Sequence, residues 1–463
     1  MPSRTVLALG GFIQVGLVAL ILWTPIPFAS VGPNAVFGIE IVAIVLGAVA
    51  STIVFLDRDA FPGPARAALV PALGILLIGV LQLVPLGQGW VSFVAPKVHE
   101  VRELVGQTVP IDPPLRSSLT PSAGIDALSR FAAYVWIGFA AAVGIRSRSA
   151  LRWIAVAIAI SAGVQGVYGA FELLSGRQQI LGYAKEFYTH AATGTFVNRN
   201  HYAGYLAMAL PVSLALLTSP LPAARFPGWR QRILRLLERR ALLRALLFVG
   251  LSCIWIGVVL SYSRAGLAVA LIGAAFAGFG LWGKRPLLLL LIATLAIPTV
   301  FLLYQDVRAP GARLGDLALD ARSDRGRLPV WGGVVRMAGD HWALGTGFGS
   351  FDAAFPLYRA PAIDMRWQHA HNDWLQAAAE GGWLTPILVV AIGVPVFRRR
   401  STTAGSRLVR AIRLGALAGV AAVALHSFVD FPLKIPAIAV LAAVLIGIRC
   451  GRIPAQARIE GAG

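Results

Sequence analysis

The sequence predicts an all-α, polytopic membrane helix bundle of about twelve spans. Three observations carry that reading. Hydrophobic residues make up 57% of the 463 and charged residues only 13%, about half of the roughly 25% charged residues of a soluble domain. Apolar runs close to span length recur from one end of the chain to the other, bounded by charges or by Pro/Gly clusters. The basic residues collect in the short connections between those runs. The runs follow one another without a break in character, so residues 1–463 read as one membrane domain.

In chain order the first expected span is Thr5–Trp23, after Arg4. Its apolar run is long for a cleavable signal, and the Pro25–Pro27 stretch offers no small-x-small cleavage site. Ala35–Leu56, Ala67–Leu86, Ala127–Ile145, Leu151–Leu173 and Tyr202–Thr218 complete the first half. Leu246–Tyr262, Ala265–Leu281, Leu287–Tyr304, Trp374–Phe397, Leu414–Val429 and Ile435–Ile448 make up the second.

An even number of spans puts both termini on one side. The connections on that side hold Arg58 and Arg66, then Arg146, Arg148 and Arg152, then seven Arg between Arg225 and Arg244. Lys284 and Arg285 follow, and then six Arg between Arg398 and Arg413. Short connections on the other side are nearly bare, with Arg264 and Lys434 as the exceptions. Cytoplasmic loops carry the excess of Lys and Arg, so both termini are expected in the cytoplasm. The net charge of +20 would suggest nucleic acid in a soluble protein. Distributed like this, it reads as orientation signals and contacts to anionic membrane lipids, and no nucleic-acid partner is expected. Cys253 and Cys450 fall at different expected depths, which argues against a disulfide between them.

Three segments on the non-cytoplasmic side are long: Gly87–Asp126, Ser175–His201 and Gln305–Asp373. Within the third, a loop at residues 305–372, Leu328, Trp331, Val334, Val335, Ala338 and Trp342 recur at helical spacing. That pattern predicts a short amphipathic helix, lying on the membrane surface or packed on the bundle as a lid. The loop carries eight Arg, no Lys and seven Asp. A guanidinium grips phosphate oxygens with paired donors, although for any single loop Arg the plainer reading is pairing with Asp on a solvated surface.

The loop ends in His369-Ala370-His371-Asn372-Asp373. Asn372 is placed to cap the following helix, which puts His371 at the positive end of its dipole. That field disfavours imidazolium, so a neutral His371 could serve as general base. Two His at i, i+2 could instead hint at a metal, but only Asp364 and Asp373 lie near as further ligands. Arg264, in the turn Ser261–Gly266, and Arg199, in Asn198-Arg199-Asn200-His201, stand at the membrane boundary on the same side. An Arg there needs an anion or an acidic neighbour, unless it snorkels to the headgroups. His426 and Asp430, at i, i+4, share a helix face near the end of the eleventh span.

These residues resemble the O-antigen ligases and polymerases, together with the related bacterial O-oligosaccharyltransferases. Four stretches carry the resemblance: Gly194–His201; Ser261–Gly266; Arg327–Phe351 with Trp331 and Gly345-Thr346-Gly347-Phe348-Gly349; and His369–Gly382. The last matches the pattern of His-Asn, nine residues, then Gly, at His371, Asn372 and Gly382. Thr385 stands where a second Gly is expected, and Ala265 separates Arg264 from the Gly that often follows it directly.

The resemblance implies a fold of the membrane glycosyltransferase (GT-C-like) class in the bacterial inner membrane. It also implies transfer of a glycan from undecaprenyl pyrophosphate at the periplasmic face, by an inverting route that needs no metal or other cofactor. The acceptor would be a hydroxyl of lipid A core, of another glycan or of a protein. Carried over, His371 would be the base. Arg264, Arg199 and Arg327 would hold the pyrophosphate, with Asn372, His369 and Asp430 in support. A lipid-linked oligosaccharide flippase, or a subunit of an envelope-polysaccharide machine without activity, is the competing expectation, since a bundle of this size suits transport too.

Reporter fusions after Arg240 and after Ala318 test the topology. They are expected to report opposite sides of the membrane, and the same side for both would overturn the twelve-span reading.

Overall fold

The computed structural model describes residues 3–85, 87–107, 116–218, 239–282, 327–360, 366–399 and 406–453. Helices account for nearly all the regular structure, in the order α1 (Arg4–Trp23), α2 (Pro33–Leu56), α3 (Gly63–Leu83), α4 (Gln88–Val94), α5 (Pro96–Gly106), α6 (Pro121–Gly144) and α7 (Arg148–Leu174). A two-stranded hairpin, β1 (Gln179–Ile180) and β2 (Tyr183–Ala184), precedes α8 (Arg199–Thr218), α9 (Arg239–Leu260) and α10 (Arg264–Trp282). The rest of the described chain forms α11 (Arg327–Asp340), α12 (Phe351–Ala354), α13 (Asp373–Gly381), α14 (Leu384–Arg398), α15 (Arg407–His426) and α16 (Pro436–Cys450).

Among the described residues nine helices, α1, α2, α3, α6, α7, α8, α9, α10 and α15, are long and apolar enough to cross a membrane, and α14 and α16 are shorter apolar helices. The chain is an all-α, multi-pass membrane protein. Its caps are those the residues dictate. Ser3, Ser147 and Ser406 accept a backbone N–H at the starts of α1, α7 and α15, and Pro occupies the first turn of α2, α3 and α6.

The bundle is organised around α8, in which every residue from His201 to Leu216 is buried. It packs against α7, α9, α10 and α15. Close approach to α15 requires Gly415 and Gly419: a Cβ on either would come within 2.6 Å of a carbonyl oxygen of α8, that of Pro211 or Met208. Membrane helices associate by this kind of small-residue packing, because lipid supplies no hydrophobic drive between them. The residues that open α8 therefore emerge at the centre of the bundle.

Three expectations need adjustment. The ninth expected span, Leu287–Tyr304, and the loop residues Arg308, Arg313, Arg322 and Arg325 lie outside the described residues. The tenth, Trp374–Phe397, is broken: α13 ends at Gly382, whose φ of +74° no other residue adopts easily, and α14 begins two residues later. The nine residues between Asn372 and Gly382 are thus one short helix. The amphipathic loop helix forms, as α11, but its buried face is Val330, Val334, Met337 and Ala338. Leu328, Val335 and Trp342 are exposed instead. The shift follows from its partner, because α11 lies against α13 and against Phe351 and Phe355, in a second apolar cluster separate from that of the bundle.

Gly382→Ala is expected to destabilise the protein by about 1–3 kcal/mol or more. The left-handed backbone alone costs that order, and the added Cβ would lie 2.2 Å from the Ala343 carbonyl oxygen. Gly393→Ala in α14, whose Cβ would meet nothing closer than 3.8 Å, should be neutral or slightly stabilising. Thermal melting of the two variants in detergent separates them.

Candidate functional site

The turn that follows α15 supplies the centre of the site. Helix α15 ends at His426, and the chain reverses through Ser427–Phe431 towards the short 3-10 turn Pro432–Lys434. Asp373, which opens α13, clasps this reversal: its backbone N–H donates to the Ser427 carbonyl at 2.9 Å. Its carboxylate accepts from the Ser427 hydroxyl at 3.0 Å and from the Leu433 N–H at 3.1 Å. These bonds bring Asp430 beneath His371.

His371 Nδ1 lies 3.1 Å from Asp430 Oδ1, and His201 Nε2, from the first turn of α8, lies 3.7 Å from the same oxygen. Asp430 is 1% exposed, whereas the His371 side chain is 25% exposed. Burial pushes the Asp430 carboxyl up, but the His201 and His371 imidazoles beside it pull further the other way and hold it well below the usual carboxylate range. An ionised carboxylate only accepts, so the proton on His371 sits at Nδ1 and, in neutral imidazole, Nε2 keeps its lone pair.

The backbone at His371 is held in a sparsely populated conformation, φ +49°. Its neighbours enforce it. Trp331 Nε1 donates to the Ala370 carbonyl at 3.0 Å, the Ala370 N–H donates to Gln376 Oε1 at 3.1 Å, and Asn372 caps α13 by accepting from Leu375 N at 3.0 Å. The rings of His201, His369 and His371 all pack on Phe431, with centroids 4.6, 4.3 and 4.7 Å away. Strain maintained by this many contacts is a mark of functional sites.

His369 faces elsewhere. Its Nδ1 lies 3.3 Å from Gln376 Nε2, and burial pushes its imidazole down to about 4, which keeps it neutral. Gln376 also donates to Glu380, whose other oxygen pairs with Lys434 at 2.9 Å. His426 is fully buried in the helix interface, where a Cβ on Gly204 of α8 would lie 2.7 Å from its Nδ1. It does not share with Asp430 the helix face that the spacing suggested, because α15 ends at His426 and Asp430 lies in the turn beyond it.

The three arginines singled out in the sequence are each the first residue of their helix: Arg199 of α8, Arg264 of α10 and Arg327 of α11. That is the end where the helix dipole disfavours a cation. Arg327 donates to the Val429 carbonyl. The Arg199 guanidinium lies 5.4 Å from the Tyr188 ring centroid and within the field of Arg264. Tyr188 in turn feels Asp430 and Arg327. Arg264 is brought close by Gly266, where a Cβ would lie 2.3 Å from the Ala203 Cβ of α8. Ser263 caps α10, accepting the Gly266 N–H at 3.1 Å. Among the described residues no carboxylate pairs with any of the three arginines. The segment that delivers Tyr188 is tied down by a buried ion pair, Lys185–Glu172 at 2.6 Å.

All seven residues singled out in the sequence thus gather here: His371, Asp430, His369, Asn372, Arg199, Arg264 and Arg327. Sequence reasoning missed His201, Tyr188, Phe431 and the Gln376–Glu380–Lys434 chain. Only His201 left a signal, as the next-but-one neighbour of Arg199.

Residues 248–390 match a family model described as O-Antigen ligase. No curated protein matches the chain. The matched stretch contains Arg264, Arg327, His369, His371 and Asn372, while Arg199, His201 and Asp430 lie beyond its ends. The chain is a multi-pass membrane protein, and over residues 248–390 it is similar to the O-antigen ligases.

Proposed function

We propose that the protein transfers a glycan from undecaprenyl pyrophosphate to an acceptor hydroxyl, at the periplasmic face of the inner membrane. The observation that carries the reading is a buried carboxylate-oriented imidazole, His371–Asp430, beside arginines that open three helices and have no carboxylate among the described residues. Guanidinium groups and helix N-termini together make a strong site for an anion, here a pyrophosphate.

In the step proposed, His371 Nε2 takes the proton of the acceptor hydroxyl as its oxygen attacks the anomeric carbon. The bond from that carbon to the pyrophosphate oxygen breaks, and the electron pair leaves with the pyrophosphate. Attack opposite the leaving group inverts the anomeric centre. Arg199, Arg264 and Arg327 meet the charge as it develops, and a positioned cation of this kind supplies what a metal would otherwise provide. Asp430 stabilises the imidazolium that forms. His201 shares the Asp430 carboxylate, and the Tyr188 phenol, pushed up by burial, stays protonated as a donor.

His371→Ala should lower transfer by about 10²–10⁴, the worth of a general base, in proteoliposomes supplied with lipid-linked glycan and acceptor. Donor binding should survive. Asp430→Asn is expected to fall by a similar order, because it releases the tautomer while keeping the shape. His369→Ala should be milder, and EDTA should have no effect. Full activity in His371→Ala would place the base elsewhere. Loss on chelation, with His369→Ala as dead as His371→Ala, would make the pair a metal site.

Arg264→Lys should lose most turnover although the charge is kept, because the paired donors of the guanidinium fork are gone. Arg199→Lys should follow it. Near-normal turnover in Arg264→Lys would reduce Arg264 to a headgroup anchor.

A further inference from the structure

The opposite face of the bundle carries a second group of arginines, built on different physics. Arg399 follows the end of α14, Arg413 lies in the second turn of α15 and Arg449 is near the end of α16. From there to His426, α15 rises about 20 Å, so this group stands most of a membrane thickness from the candidate active site. Arg413 is 2% and Arg449 4% exposed, and Arg399 is half-buried.

The three guanidinium groups hold the helix ends together. Arg449 donates through Nε and Nη2 to the Val396 carbonyl at 3.1 and 2.7 Å, and Arg399 Nη1 donates to the Arg449 carbonyl at 2.8 Å. Arg413 Nη2 donates to the Gly451 carbonyl at 2.6 Å. These carbonyls belong to the negative ends of α14 and α16, which suits cations. They do not neutralise them. Each helix end contributes roughly half a charge, and each of the three arginines a full one. No carboxylate among the described residues pairs with them. The sequence supplies none between Glu380 and Asp430, or between Asp430 and Glu460. Arg413 Nε is buried with no partner among the described residues. The carbonyl bonds hold the guanidinium groups in place, but among the described residues no negative charge balances theirs, and the Arg413 Nε donor is left over.

Beside it opens a cavity of about 860 Å³ between α3, α6, α14 and α16. Ala68, Ala72, Val389, Ile392, Ala439 and Ala443 are among the small and apolar side chains of its walls. It runs from Cys450, which lies in the field of all three arginines, towards Lys434 and His369 at the other face. Along α14, lining residues from Thr385 to Phe397 span about 18 Å, more than half of a hydrocarbon core of roughly 30 Å. The three guanidinium groups stand behind the cavity's end wall, which is made by Val396, Arg398 and Cys450; a phosphate at that end, with chains along the apolar walls, describes an acidic phospholipid.

We propose that Arg399, Arg413 and Arg449 bind the phosphate of an anionic phospholipid from the leaflet opposite the candidate active site, with its acyl chains in the cleft between α3, α6, α14 and α16. Basic pockets between transmembrane helices take lipid headgroups in this way. The lipid would complete the packing of the two short apolar helices, α14 and α16, and so brace the turn that bears Asp430.

The test uses the full-length protein, purified and delipidated in detergent, with native mass spectrometry and thermal melting as readouts. Phosphatidylglycerol should be retained and should raise the melting midpoint, whereas phosphatidylcholine and inorganic phosphate should not. Arg399→Gln, at the half-buried position where folding is least at risk, should weaken phosphatidylglycerol binding by about tenfold or more, the worth of a charge-assisted hydrogen bond. Arg413→Gln should do the same, and Arg452→Gln, at an exposed neighbour, should leave binding unchanged. Equal retention of phosphatidylcholine would mean that the cleft selects chains alone, and equal stabilisation by inorganic phosphate would mean a free-anion site. Either result, or unchanged binding in Arg399→Gln, would overturn the proposal.

Discussion

A carboxylate buried against two imidazoles is the feature on which the rest of this structure depends. Asp430 is removed from water at the point where α8, α13 and α15 meet, and such a charge depends on its partners: His371 and the Phe431 N–H reach Oδ1, while Oδ2 has no hydrogen-bond partner among the described residues. The clasp from Asp373, the left-handed backbone at His371 and the edge-on packing of the His201 and His371 rings on Phe431 bring partners to that carboxylate. The orientation of His371 follows from meeting that one buried charge.

Arginine is used in two opposite ways at the two faces. At one, Arg399, Arg413 and Arg449 donate to carbonyls at helix C-termini, where the dipole favours them and the bonds tie α14, α15 and α16 together. At the other, Arg199, Arg264 and Arg327 begin their helices, where the same dipole opposes them. An arrangement that costs stability points to a use other than stability. The field it creates is available to a ligand because only part of it is spent within the protein.

Glycine sets how near the pieces come. Gly345, Gly347 and Gly349 all take positive φ, and a Cβ on each would strike Glu380, Ser118 or Ala123. The turn after α11 is thereby pressed against both α13 and α6. With Gly382 closing α13, Gln82 of α3 ties the segment around His371 to the bundle by donating to the Leu344 and Glu380 carbonyls.

Much of this was legible in the sequence. Apolar runs of span length have one physical solution in a bilayer, helices that satisfy their own backbone, so the fold class followed from composition and periodicity. The cap at Asn372 was legible too, because a capping side chain acts within three residues of itself. Long-range pairings were not. Periodicity placed the loop helix and two residues of its buried face, Val334 and Ala338, but missed Val330 and Met337, which are buried with α13, a partner no local pattern names. His201 stands far from Asp430 in sequence and reaches the carboxylate oxygen that His371 also faces only because glycines let α8 and α15 touch. Local chemistry along the chain determined which segments are helices and where they start. Only the tertiary structure decided which histidine faces which carboxylate, because that depends on the close packing of helices distant in the chain.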